Sequence, residues 1–251
     1  MLNSTVKLKE FYNNNIEHWE KYPRTDVRNQ YLDTLNLSTL SLNDEQPLKI
    51  LDVGCGCGHD AMLLSKNLEG KGITNYKGIG VDFSSKALEK VKTKKLKHWF
   101  FLDVDFLEDP SLIVNENKFD IVICSMVVMH YQNLNNVVDM LTSFLKKTGK
   151  LLLVTNNPYL ISYEYGLSYQ KQESYEHAFF LNHNEMEIKT DKYIHSLSAY
   201  FDAAKNAGLA LETYKEILLY SDDTCMYNKK GNNKLDFPNF IAMLFNNDGK
   251  K

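Results

Sequence analysis

The sequence predicts a doubly wound α/β fold, a mostly parallel seven-stranded sheet that ends in an antiparallel hairpin. Three observations carry this. Short apolar runs alternate with segments whose apolar residues recur at helical spacing, the pattern of a parallel sheet covered on both faces. The first of those runs, Leu48 to Val53, leads straight into a glycine turn, Gly54-Cys55-Gly56-Cys57-Gly58. The last two runs, Leu209 to Tyr220 and Phe237 to Phe245, are joined by a short loop near Asn228 to Asn233, as in a hairpin.

The elements follow in order. Residues 5–40 read as two helices punctuated by Pro23. Leu48 to Val53 is a buried strand, and Asp60 to Leu68 a helix that stops near Gly70 and Gly72. Tyr76 to Val81 is the second strand. Ser84 to Lys95 is a helix with Ser84 or Ser85 as its N-cap. His98 to Val104 and Phe119 to Ser125 are the third and fourth strands. Asn135 to Lys146 is a helix that Gly149 closes, and Lys150 to Thr155 is the fifth strand. The period then fails: Asn156 to Lys192 is polar, tyrosine-rich and reads as an insertion over the site. Ser196 to Ala207 is a helix ending at Gly208. The expected organisation is one domain over residues 1–251, with a helical cap (1–45), a binding core (46–156), a substrate-side insertion (157–195) and a C-terminal helix and hairpin (196–251).

Composition narrows the function. Hydrophobic residues make up 43% of the 251-residue chain and charged residues 24%, an ordinary globular balance that can bury a core without staples. The net charge of −3 lacks the basic excess of a nucleic-acid binder. Lys86, Lys90, Lys92, Lys94, Lys95 and Lys97 read as a solvated helix face and its exit loop. Cys55 and Cys57 stand one residue apart, an uncommon zinc spacing, and no second Cys/His pair completes a site, so no metal is expected. With Cys124 and Cys225 they read as reduced thiols of a cytoplasmic protein. The polar N-terminus lacks the apolar core of a signal peptide, and no apolar run approaches the ~20 residues of a membrane span.

The strongest local signal is Leu51-Asp52-Val53-Gly54-Cys55-Gly56-Cys57-Gly58-His59-Asp60. Glycine turns at the carboxyl end of a strand let a ligand approach the backbone, where open α/β sheets bind. The spacing is G-x-G-x-G, neither the G-x-G-x-x-G of a dinucleotide turn nor an NTPase phosphate loop. Asp52 inside the turn would repel a diphosphate and suits an ammonium. Asp82 closes the second strand, where a carboxylate accepts hydrogen bonds from ribose hydroxyls; its alternative role is capping the helix that begins at Ser84.

These segments resemble the class I S-adenosylmethionine-dependent methyltransferases. Leu51 to Asp60 resembles their first motif and Gly80 to Ser84 the acidic motif after their second strand. Phe119 to Ser125 with Met129-His130-Tyr131 looks like their fourth strand and its turn. Leu145 to Val154 looks like their fifth-strand signature, with Thr148-Gly149 where the family usually has Pro-Gly or Gly-Gly. The resemblance runs over residues 48–156 and, weakly, 196–246. It implies S-adenosyl-L-methionine as cofactor, cradled by the Gly54, Cys55, Gly56 and Gly58 backbone, with Asp52 toward its ammonium and Asp82 on its ribose. Phe83 and Ser125 would line the same site. Asp103 and Asp105 compete to meet the adenine amino group, Asp105-Phe106 matching the family pattern better, with Phe106 stacking on the base. Phe11-Tyr12-Asn13 is similar to a frequent family opening, so Tyr12 would touch the cofactor.

The acceptor side is read from chemistry. A neutral acceptor needs a proton removed, and His130, after the fourth strand, is the first candidate for base or acceptor orientation; His177, His183 and His195 are weaker. Tyr159, Tyr163 and Tyr165 form either an aromatic wall for the acceptor or ordinary packing. Asn156-Asn157-Pro158-Tyr159 looks like the Asn-Pro-Pro-Tyr signature of amino-group methyltransferases, but follows the fifth strand, not the fourth. The leading expectation is a methyltransferase acting on N or O of a small molecule, without nucleic-acid or membrane partners. The alternatives are an mRNA cap guanine-N7 methyltransferase and a cofactor-binding module without turnover.

Overall fold

Among the described residues nine strands follow one another: β1 (Leu48–Val53), β2 (Tyr76–Asp82), β3 (Trp99–Asp103), β4 (Phe119–Ser125), β5 (Leu145–Asn156), β6 (Ser174–Leu181), β7 (Met186–Tyr193), β8 (Leu209–Ile217) and β9 (Phe240–Asn247). Seven form one sheet in the order β3-β2-β1-β4-β5-β9-β8, and β6 pairs with β7 apart from it. This computed structural model describes residues 4–21, 24–37, 45–114, 118–181, 186–218 and 238–247. β1 runs parallel to β2 and β4, with Val53 opposite both Val81 and Cys124. β9 runs antiparallel between β5 and β8, which gives the expected C-terminal hairpin; its loop, near Asn228 to Asn233, lies outside the described residues.

The helices are α1 (Ser4–Asn14), α2 (Ile16–Lys21), α3 (Thr25–Leu32), α4 (His59–Gly70), α5 (Ser85–Thr93), α6 (Ser111–Val114), α7 (Leu134–Ser143), α8 (Pro158–Tyr165) and α9 (Leu197–Asn206). The two-residue alternation of β1 sends its side chains to opposite faces. Leu51 and Val53 pack with Val137, Leu141 and Ala203 of α7 and α9. Ile50 packs with Tyr31, Leu32, Leu64 and Leu68 of α3 and α4. Asp52 shares the Ile50 face, beneath α3 and α4. Strand order reverses between β1 and β4, so the carboxyl ends of these strands form the crevice where such sheets bind ligands.

Three expectations need correction. Among the described residues the cap holds three α-helices rather than two. The helix expected to run to Lys146 stops at Ser143, and β5 begins at Leu145, because Phe144 and Leu145 are buried and Leu145 pairs with Phe119. Gly149 is therefore a strand residue; a Cβ there would lie 2.8 Å from the Phe119 carbonyl oxygen. The segment read as irregular holds α8 and the β6–β7 hairpin. Asn157 caps α8 by accepting from the Tyr159 amide at 3.0 Å, with Pro158 in the first turn.

Candidate active site

The glycine turn between β1 and α4 has the backbone its sequence requires. Gly56 has φ +51° and a Cβ built on it would meet nothing within 4 Å, so this part of the turn faces open space. Gly58 has φ +73° and serves packing: a Cβ there would lie 2.2 Å from Val91 Cγ2 of α5. Beside the turn, Asp82 is held by backbone. Its Oδ2 accepts from the Gly56 amide at 2.8 Å and its Oδ1 from the Ser84 amide at 2.8 Å. Ser84, not Asp82, is the N-cap of α5, accepting from Ala87 at 3.2 Å. Each Asp82 oxygen keeps lone-pair capacity for a further donor. Burial pushes this carboxyl up to about 6 against those two hydrogen bonds, with Asp103 adding repulsion.

Asp52 lies deeper, 1% exposed, and its Oδ2 has no hydrogen-bond partner among the described residues. Burial, then the Asp60 carboxylate, push it well up, against the Arg28 charge. Arg28 meets Asp60 at 2.6 Å and donates to the Tyr31 hydroxyl at 2.9 Å. Tyr31 in turn donates to Asp60, and Ser125 Oγ donates to Tyr31 at 3.2 Å. An orphaned carboxylate oxygen next to a guanidinium has the donor and acceptor character to hold a zwitterionic amino acid.

One cavity of about 210 Å³ joins these groups. Gly54, Cys55, Gly56, Cys57, Asp82 and Phe83 line one part of it; Tyr12, Phe106, Ser125 and His130 also line it. Asp52 and Gly58 stand behind that wall. Asp103 and Asp105 do not line it either. Asp103 is exposed and meets Lys9 at 3.6 Å. Asp105 accepts from the Leu107 amide at 2.9 Å, and its charge acts on the cavity residue Tyr131, which Phe106 meets edge-on at 5.7 Å.

The cap closes the cavity from above. The Tyr12 hydroxyl lies 2.8 Å from His130 Nε2, and Tyr12 packs edge-on against Phe83 at 6.1 Å. Asn13 accepts from Ser84 Oγ at 2.7 Å, fastening α1 to the start of α5. Two of the clustered lysines fasten α2 instead of facing solvent alone: Lys90 meets Glu17 at 2.7 Å and Lys94 meets Glu20 at 3.3 Å. Burial, followed by the Lys192 charge, pushes His130 down to about 3, against a backbone hydrogen bond at Asp191. The imidazole is therefore neutral at pH 7.

The structure takes the tyrosines of α8 away from the cavity. Leu160 and Ile161 face inward, whereas Tyr159 and Tyr163 are exposed. Tyr159 stacks on Tyr169 at 4.1 Å and Tyr165 packs on Tyr175 at 4.8 Å. His195 is buried with Nε2 2.9 Å from the Tyr131 carbonyl; His183 and Cys225 lie outside the described residues. Sequence reasoning missed Arg28, Asn156 and Lys192, all cavity-lining. The structure also gathers Glu20, Cys57 and His59, with potential ligand atoms within 4.8 Å of one another. The Lys94 ammonium sits against two of them, 3.3 Å from Glu20 and 3.5 Å from His59 Nδ1.

Comparison with known proteins agrees with this geometry. A family profile described as "Methyltransferase domain" matches residues 44–206. The chain belongs to this methyltransferase family, whose fold is that of the class I S-adenosylmethionine-dependent methyltransferases. It is similar to the malonyl-[acyl-carrier protein] O-methyltransferase of Priestia megaterium, 30% identical over 157 residues, which are 62% of this chain and 53% of that protein. It is 27% identical to the ubiquinone biosynthesis O-methyltransferase of Rickettsia felis over 192 residues, 72% of this chain and 74% of the relative. The match to the ubiquinone biosynthesis O-methyltransferase of Pelagibacter ubique is 28% and covers 47% of it, so the chain spans about half the length of some of these relatives. Its fold is that of magnesium protoporphyrin IX methyltransferase from Synechocystis PCC 6803, a structure with bound SAH: TM-score 0.63, 13% identity, 97% of this chain and 99% of the other. Among the described residues no helix is long and apolar enough to cross a membrane.

Proposed function

We propose that this enzyme methylates an oxygen atom of a small-molecule acceptor. The observation that carries the reading is that one cavity joins a nucleoside half, Gly54–Cys57 with Asp82 and Phe83, to a second half lined by Tyr12, His130, Asn156 and Lys192. The O-methyltransferase names of the similar proteins favour oxygen.

The roles follow from chemistry. Asp82, oriented by the Gly56 and Ser84 amides, accepts the ribose hydroxyls. Asp52 and Arg28 take the ammonium and carboxylate of the amino-acid end. Phe106 packs on the adenine, with Asp105 as the acid nearest to it. Bound there, S-adenosylmethionine supplies a methyl group already activated on a sulfonium. The protein's contribution is to orient the acceptor and exclude water under Tyr12 and α1. His130 is a poor base while burial keeps it neutral and its Nε2 faces Tyr12, so its proposed part is to hold that hydroxyl over the acceptor. The domain boundaries at 1–45, 46–156, 157–195 and 196–251 are proposed on the same basis.

Calorimetry with S-adenosylhomocysteine, NAD and ATP tests the site. Binding of the first alone, weakened at least about tenfold by Asp52→Asn, is expected; ten-fold corresponds to about 1.4 kcal/mol. Transfer from methyl-labelled cofactor to a carboxylic acid or phenol panel, and not to amines or capped RNA, is expected. Transfer to RNA or amines alone would overturn the oxygen reading.

A further inference from the structure

Where the cap meets the glycine turn, three potential metal ligands come together. Glu20 belongs to α2, Cys57 to the turn, and His59 opens α4. Among the described residues a Glu20 carboxylate oxygen, Cys57 Sγ and a His59 ring nitrogen all lie within 4.8 Å of one another. Gly58, at φ +73°, turns the chain between Cys57 and His59, so that residues two apart reach one point. The atom that matters most is His59 Nε2. His59 is 7% exposed, and this nitrogen makes no hydrogen bond among the described residues. It faces Glu20 Oε2 at 4.0 Å, too far for a hydrogen bond. The Cys57 thiol, also buried, donates to the same carboxylate.

An imidazole nitrogen buried without a partner is unfavourable unless something joins it. Nitrogen and oxygen ligands held about 2.1 Å from a tetrahedral ion stand about 3.4 Å apart, so side-chain rotations of about 1 Å close this triangle around one ion. Sulfur, nitrogen and oxygen are the donors zinc takes, and a thiolate with a carboxylate neutralises a dication out of water. One charge opposes it. The Lys94 ammonium lies 3.3 Å from Glu20 Oε1 and 3.5 Å from His59 Nδ1, and leaves Oε2 and Nε2 to each other. A neutral imidazole that ligates through Nε2 carries its proton on Nδ1, so Lys94 must withdraw from that nitrogen as the ion enters.

We propose that Glu20, Cys57 and His59 bind one zinc ion, which pins α2 to the glycine turn, with Lys94 as its competitor. On binding, the Cys57 thiol gives its proton to solvent and the thiolate joins the metal, with water in the fourth position. The sequence pointed away from a metal because Cys57 and His59 have no ligand pair beside them; Glu20 arrives only through the docking of α2. The proposal is independent of what fills the cavity.

The test uses the full chain, stripped of metal by a chelator and titrated with Co²⁺, which enters zinc sites and reports a thiolate ligand by a charge-transfer band. One ion per chain with that band, displaced by Zn²⁺, is expected. Cys57→Ser should abolish the band, and Glu20→Gln and His59→Gln should each weaken Co²⁺ binding at least about tenfold. Lys94→Gln should tighten it at least about threefold by removing the competing charge, a gain that misfolding does not produce. Amide exchange in residues 16–21 should slow on Zn²⁺ binding by more than exchange in β4. The absence of a band, a band that survives Cys57→Ser, or an affinity in Lys94→Gln no higher than in the unsubstituted chain overturns the site. Exchange in residues 16–21 that slows no more than in β4 overturns the pinning of α2.

Discussion

Asp82 is where one side chain sets the pH behaviour of the whole site. Its carboxylate accepts from two backbone amides, yet burial holds it at about 6, above the ordinary carboxylate range. The sign follows from which form each state favours. In the empty protein the raised value means that Asp82 contributes stability below its unfolded value of about 4, lost as pH rises through about 6. In the role proposed for Asp82 ribose hydroxyls donate to the ionised form, so ligand binding would have the opposite dependence. Affinity for S-adenosylhomocysteine is expected to be flat between pH 7 and 8 and to fall below pH 6, approaching about tenfold per unit. Calorimetry from pH 5 to 8 checks this, and affinity that rises on acidification would refute the role. Asp82 was legible in the sequence because strand, acid and helix cap are contiguous. Arg28, Asn156 and Lys192 were not, since each reaches the cavity only through the docking of a distant element.

The glycine turn is one element with two kinds of constraint. Gly56 and Gly58 both have positive φ, so alanine at either costs about 1–2 kcal/mol of backbone strain. They differ in what surrounds them. A methyl at Gly56 enters open cavity, whereas one at Gly58 meets Val91 Cγ2 at 2.2 Å and must displace α5. Gly56→Ala should therefore lower Tm modestly and weaken cofactor binding. Gly58→Ala should lower Tm by several degrees more, and Val91→Ala should recover part of that loss in the double variant. Thermal melts of the four proteins decide it: purely additive effects would mean that α5 does not bear on the turn. The same contrast explains what was readable at this scale. The motif disclosed where the turn lies, but not which glycine faces the ligand and which the helix. The β6–β7 hairpin escaped notice because its polar residues have no clear two-residue period, and the start of β5 because Lys146, Lys147 and Thr148 look like a helix end.

At the scale of the molecule, the parallel core and the cap are held by different forces. β1 and β4 are buried on both faces, with Ile50, Leu51, Ile121, Val122 and Ile123 at 0% exposure, and such continuous apolar runs made the parallel core the most legible feature. Of the cap, α3 belongs to the core, whereas α1 and α2 hang on polar contacts, Tyr12 to His130, Asn13 to Ser84 and Glu17 to Lys90, and on a small cluster of Ile16, Cys57 and Ala87 with Trp19. Exposed ion pairs contribute about 0–1 kcal/mol each. Opening of α1 and α2 therefore requires less free energy than unfolding the sheet. Leu8, Tyr12, Ile16 and Trp19 all line the cavity, so lifting α1 and α2 forfeits the contacts that hold a nucleoside there. A ligand at a hundred times its Kd stabilises the closed form by about 2.7 kcal/mol. Amide exchange in residues 4–21 should accordingly be faster than in β1 and β4 of the empty protein, and should slow about a hundredfold when S-adenosylhomocysteine is present at that excess. Exchange of the sheet amides that slows while residues 4–21 stay unchanged would mean that the cap opens without releasing the cofactor, and that α1 does not seal the site.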